Sequence, residues 1–528
     1  MQLETLELDC AVRDYINEYI NKIKESYEQQ IKELQNKYLE VKEQLALLVY
    51  KRFVRSAEQL QTDKSQPLLF TEEEAKAQEN KEEDEEKDES IEVKSHKRNK
   101  KGRKAIDANI ERRERIIDID EEEKTCACGA KLTRIGEEKS EKLVIVPAQI
   151  YVDEVIRPKY ACRACEGTED EDKPTVRIAP VEPSIIPRSI VSPSLLSYIM
   201  IQKYEDHLPF YRQETQFERI GITISRQDMC NWQQKGYEKV SPIFTLLKDT
   251  IKTGEVIQMD ETTLQVIGEE SRQDTQKSYM WLALGGPPDK KVALYEYRET
   301  RAGGHAKKLL NGFTGYLQTD GYEGYDSAVK DMPEIIQVGC FTHVRRKFFE
   351  AAQIAEQSGT AKCGIEYIRK LYHIENKMRE EKEKEKYTDE EFVKKRKELA
   401  EVVLNDFKTW LNAQVDGVPP SCLLGKAIRY SLRQWDKLTK YLESPYLTPD
   451  NNAAENAIRP FVLGRKNWLF NQSPIGAESS CGMYSLIQTA KLNGLVPLHY
   501  LTALFQKAPF ASSPEDWKKL LPWNIFNS

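Results

Sequence analysis

The chain has 528 residues, 39% of them hydrophobic, enough for about three or four globular units at roughly 150 residues each. No apolar run approaches the ~18 residues that cross a bilayer, and the N-terminus lacks a signal-peptide pattern, so a soluble, cytoplasmic protein is expected. The net charge of −7 does not argue against a nucleic-acid partner: residues 72–92 alone carry twelve Asp or Glu against three Lys, a local −9 that leaves +2 for the rest.

Residues 11 to about 60 contain neither Gly nor Pro and read as helix. Ile20, Tyr27, Leu34, Val41 and Leu48 recur every seven residues, with a second row of Ile16, Ile23, Ile31, Tyr38 and Leu45 that shifts once. This is a coiled-coil seam with one irregularity, read as an oligomerisation element, though a long helix folded on its own domain gives a similar pattern. The acidic stretch 71–93 is poor in apolar residues and is expected to be disordered. It gives way to "KSHKRNKKGRK" (94–104), seven Lys or Arg in eleven residues, either a solvated segment or a phosphate-contacting arm.

Next come "CACG" (126–129) and "CRAC" (162–165), with an alternating, hairpin-like segment between them. Two close pairs in an intracellular chain point to a tetrahedral zinc shell of Cys126, Cys128, Cys162 and Cys165. Four thiolates leave no position for water, so this zinc is structural. The other six of the ten cysteines are scattered and read as packed small hydrophobes. Residues 189–238 suggest three short helices, with Ser192-Pro193 opening the first, Gly221 ending the second and Ser225 capping the third. A helix-turn-helix has this pattern, with Arg226, Gln227, Asn231 and Gln234 as candidates to face DNA; any small helical bundle has it too.

"VIQMDETTLQVIG" (256–268) reads as a buried strand interrupted by Asp260 and Glu261. A carboxylate there costs several kcal/mol unless something compensates for lost hydration. Strand-like runs follow at 278–286 and 291–300, then a helical stretch at 303–313. A further strand over 315–320 ends at Asp320, and another strand runs into a helix over 334–353. This is the order of a ribonuclease-H-like α/β domain, with Asp260 in the middle of the first strand and Asp320 at the end of the fourth, its neighbour. Hard divalent cations explain the pair, because Mg²⁺ takes oxygen ligands and keeps water for substrate phosphate. Two ions about 3.5–4 Å apart can activate a nucleophile and stabilise a leaving oxygen, which calls for a third carboxylate. "DNNAAENAIRPFVLGRKNWLF" (450–470) offers Glu455 one turn into a helix capped by Asp450 or Asn451 and stopped at Pro460. Arg459, Arg465 and Lys466 follow as cations suited to phosphate. Glu261 points to the opposite strand face and is expected to be structural, while Glu323 and Asp326 lie beyond the turn and should be solvated. His343 opens a helix carrying Arg345, Arg346 and Lys347, so it is either structural or part of a DNA-backbone contact.

The segments "RSAEQLQTDKSQPLLF", "RPKYAC", "QMDETTLQV", "LQTDGYEGYD", "CFTHVRRKFF" and "NNAAENAIRPFVLGRKNWLF" together resemble the DDE transposases of bacterial insertion sequences, specifically the insertion sequence 66 family. The resemblance covers most of the chain. It implies Asp260, Asp320 and Glu455 as the triad holding two Mg²⁺ or Mn²⁺ ions, with a helical insertion between Asp320 and Glu455. It also implies DNA as partner (element ends and target), self-association, and small accessory proteins of the same element. The C-x-C spacing of the first cysteine pair departs from the commoner C-x-x-C and bears on the zinc site, not on catalysis.

The expected architecture is therefore multidomain α+β: a coiled coil (1–70), an acidic then basic linker (71–104), a four-cysteine zinc module (105–180) and a helix-turn-helix region (181–245). A ribonuclease-H-like core (246–353 and 448–528) follows, split by a helical insertion (354–447). Expected location is the cytoplasm, at the nucleoid. A non-catalytic DNA-binding regulator derived from a transposase is the competing reading, and a structure-specific nuclease a third; an intact triad disfavours the regulator.

Overall fold

A computed structural model describes residues 10–53, 150–161, 176–270, 272–354, 358–385 and 387–526. The 71–104 linker and all four cysteines of the expected zinc shell lie outside the described residues. The chain divides into two compact units, Phe70–Val181 and a larger one formed by Met1–Leu69 with Glu182–Ser528. Among the described residues no helix is long and apolar enough to cross a membrane.

The larger unit opens with α1 (Cys10–Phe53), a single helix of 44 residues. Its seam positions face solvent: Tyr27, Leu34, Val41 and Leu48 are 61, 66, 64 and 66% exposed. The other side of its C-terminal half is docked. Glu43, 6% exposed, accepts the Leu423 backbone N–H at 2.6 Å, and Glu40 pairs with Lys426 at 3.0 Å. One stripe of the helix thus packs on the chain, and the apolar one does not.

In the smaller unit, β1 (Lys159–Ala161) pairs antiparallel with β2 (Val176–Ile178), and Arg157 donates to the Ala179 carbonyl at 2.8 Å. Sequence reading placed the hairpin between the cysteine pairs; β2 lies after them and was not anticipated.

In the larger unit α2 (Pro193–Tyr204), α3 (Phe210–Arg219), α4 (Arg226–Lys239) and α5 (Ser241–Ile251) follow. Ser192 accepts the Leu195 N–H and Ser225 the Asp228 N–H, each at 3.1 Å, so both expected caps form. Leu196, Phe217, Met229 and Trp232 bury the shared faces of the first three helices.

Five strands make the sheet: β3 (Val256–Gln265), β4 (Lys277–Gly285), β5 (Val292–Arg298), β6 (Gly315–Gln318) and β7 (Ile335–Val338), in the order β5-β4-β3-β6-β7. The β3–β4 and β4–β5 pairs are antiparallel; β3–β6 and β6–β7 are parallel. The short helices α6 (Gly304–Leu310) and α7 (Glu323–Val329) flank β6, and α8 (Phe341–Ile354) leaves β7.

The insertion then contributes α9 (Ser358–Glu385), α10 (Asp389–Val415), α11 (Leu423–Arg433) and α12 (Trp435–Thr439), packed with α8 around Phe348, Phe407 and Trp435. Arg396 is fully buried on α10. It donates to the Leu447 carbonyl at 3.0 Å and to the Tyr441 and Ser444 carbonyls at 2.7 Å each, with Glu375 at 3.4 Å. Those bonds occupy both terminal nitrogens of a charge that would be very costly to bury alone, and they fix the segment that leads back to the sheet.

That segment enters α13 (Asn452–Trp468), followed by α14 (Pro474–Leu492), α15 (Pro497–Lys507) and α16 (Pro514–Lys519). The structure corrects the expected end of α13: Pro460 lies inside the helix, which continues to Trp468. Proline removes one hydrogen bond and usually kinks or breaks a helix. Burial of Ile458, Phe461 and Gly464 on the sheet side offsets that loss. Helix α14 covers the free edge of β5 with hydroxyls: Ser485 accepts the Tyr295 N–H at 2.9 Å, and Thr489 accepts the Ala293 N–H at 3.1 Å. An open strand edge is thereby closed without another strand.

Candidate functional site

Register places the first two carboxylates together. Gln258 on β3 stands opposite Gln318, the last residue of the parallel β6. Asp260 thus lies two residues further along β3 and Asp320 two residues past the end of β6, which stops short of the expected Asp320. The Gln258 amide donates to the Gln318 side chain at 2.8 Å, and Gln318 donates to the Thr448 carbonyl at 2.7 Å. Asn451, 1% exposed, donates to the Met259 carbonyl at 2.9 Å, and its own N–H points at Cys340 Sγ at 3.3 Å. The Asp450 carboxylate caps the helix by accepting the Asn452 N–H at 3.0 Å. These amide bonds hold the start of α13 against β3, β6 and the β7–α8 junction, and Glu455 follows one turn later.

The three carboxylates act on one another. Asp260 is pushed up to about 8, first by burial and then by the charges of Glu261, Glu455 and Asp320. Its side chain accepts the Glu261 N–H at 2.9 Å. Glu455 is also raised, by burial above all, with Arg346 opposing and Asp450 and Asp320 adding to it. Its Oε2 lies 3.7 Å from Arg346, whereas Oε1 is buried with no hydrogen-bond partner. Asp320 accepts the Tyr322 N–H at 3.0 Å and keeps a quarter of its side chain exposed. Carboxylate oxygens are the donors a hard divalent cation takes, and Arg346 beside Glu455 and Arg301 near Asp320 offset only part of the repulsion that raises Asp260, so the donor types fit such an ion.

Glu261 makes a structural contact. Its side chain is 1% exposed, accepts the Tyr325 hydroxyl and pairs with Arg301 at 2.5 Å. Arg301, which sequence reading missed, also lies 3.9 Å from Asp320 and stacks 3.8 Å over the Tyr322 ring. It sits in the loop after β5, and only its arginine identity beside a strand end could have signalled it. Glu323 and Asp326 are exposed as expected, with Asp326 held by Lys437 and by Gln337 at 3.0 Å.

The remaining candidates separate. Arg226, Gln227 and Asn231 are exposed on α4 and Gln234 half-exposed, with Gln227 donating to Asn231 at 3.1 Å. His343 is partly exposed, but its Nδ1 is buried without a hydrogen-bond partner, 3.9 Å from Glu455 Oε1. Burial and the Arg346 charge hold its imidazole down, to about 4. Arg345 is only 6% exposed and so is turned into the protein, a correction to its expected place on a DNA-facing surface. Arg346 is exposed, and Lys347 lies 4.6 Å over the Tyr430 ring. Arg465 is engaged with β3, donating to the Thr263 carbonyl and to its hydroxyl at 2.9 Å, so it ties α13 to the sheet. Arg459 is half-buried and Lys466 exposed.

A mixed sheet with Asp260 and Asp320 at the point where β3 and β6 meet defines an α/β core carrying a helical insertion. The family described as "Transposase IS66 family" matches residues 188–479, more than half of the 528, and the chain belongs to it. The "zinc-finger binding domain of transposase IS66" matches residues 123–166, and the "IS66 C-terminal element" matches 485–523. Residues 40–115 match the description "Transposase C of IS166 homeodomain". Among curated proteins, the chain is 32% identical over 442 residues to the uncharacterized protein y4qI of Sinorhizobium fredii, covering 81% of this chain and 78% of that one. It is 30% identical over 459 residues to y4hP of the same organism, covering 82% and 78%. Residues 126–165, with all four cysteines, thus fall within a matched zinc-finger domain.

Proposed function

We propose that this insertion-sequence transposase cuts and joins DNA at Asp260, Asp320 and Glu455, on a ribonuclease-H-like core. The observation that carries the reading is the carboxylate cluster itself, in which Asp260 is driven to about 8 by burial and by its acidic neighbours. Carboxylates that repel one another on a pinned scaffold are the arrangement a bound cation relieves.

The three residues would hold Mg²⁺ or Mn²⁺, two per site. When bound, such ions activate a water or 3′-hydroxyl and offset charge on the leaving oxygen of a phosphodiester. The chain's own part is to position. Asn451 and Gln318 fix the two backbone segments that carry the acids, and Arg301 steadies Asp320 from the side. Exposed Arg346, 3.7 Å from Glu455, and Lys347 over Tyr430 supply cations near the site for the DNA backbone, with Lys466 exposed further along α13. The exposed α4 face of Arg226, Gln227 and Asn231 supports a helix-turn-helix role in end recognition, and the solvent-facing seam of α1 supports a coiled coil between copies. The matched zinc-finger domain supports one structural Zn²⁺ on Cys126, Cys128, Cys162 and Cys165.

The test is incubation of the full-length protein with a labelled element end, a target plasmid and Mg²⁺. Wild type should cut and join. Asp260→Asn, Asp320→Asn and Glu455→Gln should each lose both steps by at least about a hundredfold while end binding stays within about twofold. Joining at a normal rate by Asp260→Asn would sink the reading. Cutting without joining in wild type would make the protein a nuclease.

A further inference from the structure

Beside the carboxylate cluster lies a group of different chemistry. Cys340 closes the β7–α8 junction and is 3% exposed; His343 is on the first turn of α8; Glu455 approaches from α13. Their thiol sulfur, imidazole nitrogen and carboxylate oxygen all lie within 4.8 Å of one another. Two of the three atoms are orphans: His343 Nδ1 and Glu455 Oε1 are both buried and neither has a hydrogen-bond partner, their separation of 3.9 Å being too long for one. Buried polar atoms are nearly always satisfied, and an orphaned pair facing each other calls for something between them.

We infer that Cys340, His343 and Glu455 form a second cation site, one that takes a borderline-soft divalent ion of the zinc class instead of the hard ion of the carboxylate cluster. A sulfur–nitrogen–oxygen set selects for zinc over magnesium, because thiolate and imidazole are poor ligands for a hard ion. Ligand bonds of about 2.0–2.3 Å around a tetrahedral ion put ligand atoms roughly 3.5 Å apart, so modest side-chain rotation closes the group. Three protein ligands leave a fourth position for water. Binding releases the thiol proton to solvent, which makes affinity rise with pH. The ion joins α8 to α13 through Glu455 Oε1 and leaves Oε2 where it lies, 3.7 Å from Arg346. The site borrows Glu455 from the proposed catalytic reading but does not depend on that reading.

The experiment counts zinc by mass spectrometry in full-length protein equilibrated with zinc in slight excess over two ions per chain and with a larger excess of Mg²⁺, then freed of unbound metal, and compares variants within one preparation. Cys340→Ala and His343→Ala should each bind one zinc per chain fewer than wild type. Asp260→Asn should bind as much as wild type. His343 is partly exposed, so its variant tests the site even where loss of the buried Cys340 disturbs folding; circular dichroism identifies that case. With Co²⁺ in place of zinc, the thiolate-to-cobalt absorption lost in Cys340→Ala should be lost equally in His343→Ala. Equal zinc in wild type and both variants overturns the site. Loss of that zinc in Asp260→Asn also overturns it, since the ion would then belong to the carboxylate cluster. Failure of DNA joining with the zinc count intact would count against the catalytic reading alone.

Discussion

Arg301 Nη2 lies 2.5 Å from Glu261 Oε1 and 3.9 Å from Asp320, so one guanidinium serves a buried structural carboxylate and a member of the proposed triad. Glu261 is raised by burial, with the Tyr325 hydroxyl and Arg301 holding it back. Removing the cation leaves a carboxylate that is 1% exposed without its counter-charge.

Arg301→Ala should therefore destabilise the fold by about 1–2 kcal/mol, less than for a fully buried pair because Arg301 is 41% exposed. Glu261→Gln, which keeps the shape and an acceptor for Tyr325, should cost less and retain most joining activity. Urea unfolding of the two variants checks the order. The double variant Arg301→Met/Glu261→Gln should recover stability relative to Arg301→Ala, and its failure to do so would mean the pair is not the source of the loss.

The seam of α1 faces solvent over most of its length, with Ile31 and Leu45 at 53 and 62% exposure in the second row. Ile20→Asp combined with Leu34→Asp puts two charges into that seam and should weaken self-association at least tenfold. Sedimentation velocity reads the result. A variant that keeps the wild-type mass would leave docking through Glu40 and Glu43 as the helix's purpose.

Cys162→Ser should lower zinc by one ion per chain and impair element-end binding before it touches cleavage of pre-bound ends. Zinc analysis alongside a mobility-shift assay separates the two effects. Stoichiometric zinc in a chain lacking Cys126, Cys128, Cys162 and Cys165 would overturn that ligand set.

Much of the core was legible because strand order follows from composition. β-branched and apolar runs at 256–265, 277–285 and 292–298 are separated by Gly and Pro, and each became a strand at nearly the expected bounds. Asp260 was legible for the same reason, as a charge where a core strand cannot solvate it, whereas Asp320, past the end of β6 and a quarter exposed, was legible from the strand that leads to it. What escaped is what depends on distant packing. Pro460 carries a local stop signal, but burial of α13 against the sheet overrides it. Arg345 sits in a run of cations that looks like a surface, yet helical periodicity turns it inward beside Val344 and Phe348. Arg301 lies in a loop with no pattern, and its role exists only because Tyr322, Glu261 and Asp320 converge there.

The raised carboxyl of Asp260 makes a prediction about stability without Mg²⁺. Its ordinary value is 3.8 and its folded value about 8, so between these the folded chain holds a proton that the unfolded chain has released. An acid raised on folding contributes full stability below its unfolded pKa and loses it as pH rises through the folded one, at about 1.4 kcal/mol per unit of effective shift. In Mg²⁺-free buffer the wild-type melting temperature should therefore fall by several degrees between about pH 6 and pH 8.5. Asp260→Asn removes the titrating group, so its melting temperature should change less over that range and exceed wild type at the alkaline end. Added Mg²⁺ should restore wild type at high pH and leave Asp260→Asn nearly unmoved, because the ion stabilises the charged cluster it binds. Parallel slopes for the two proteins would mean that Asp260 is solvated or already paired, and the carboxylate cluster would lose its reason to bind a cation.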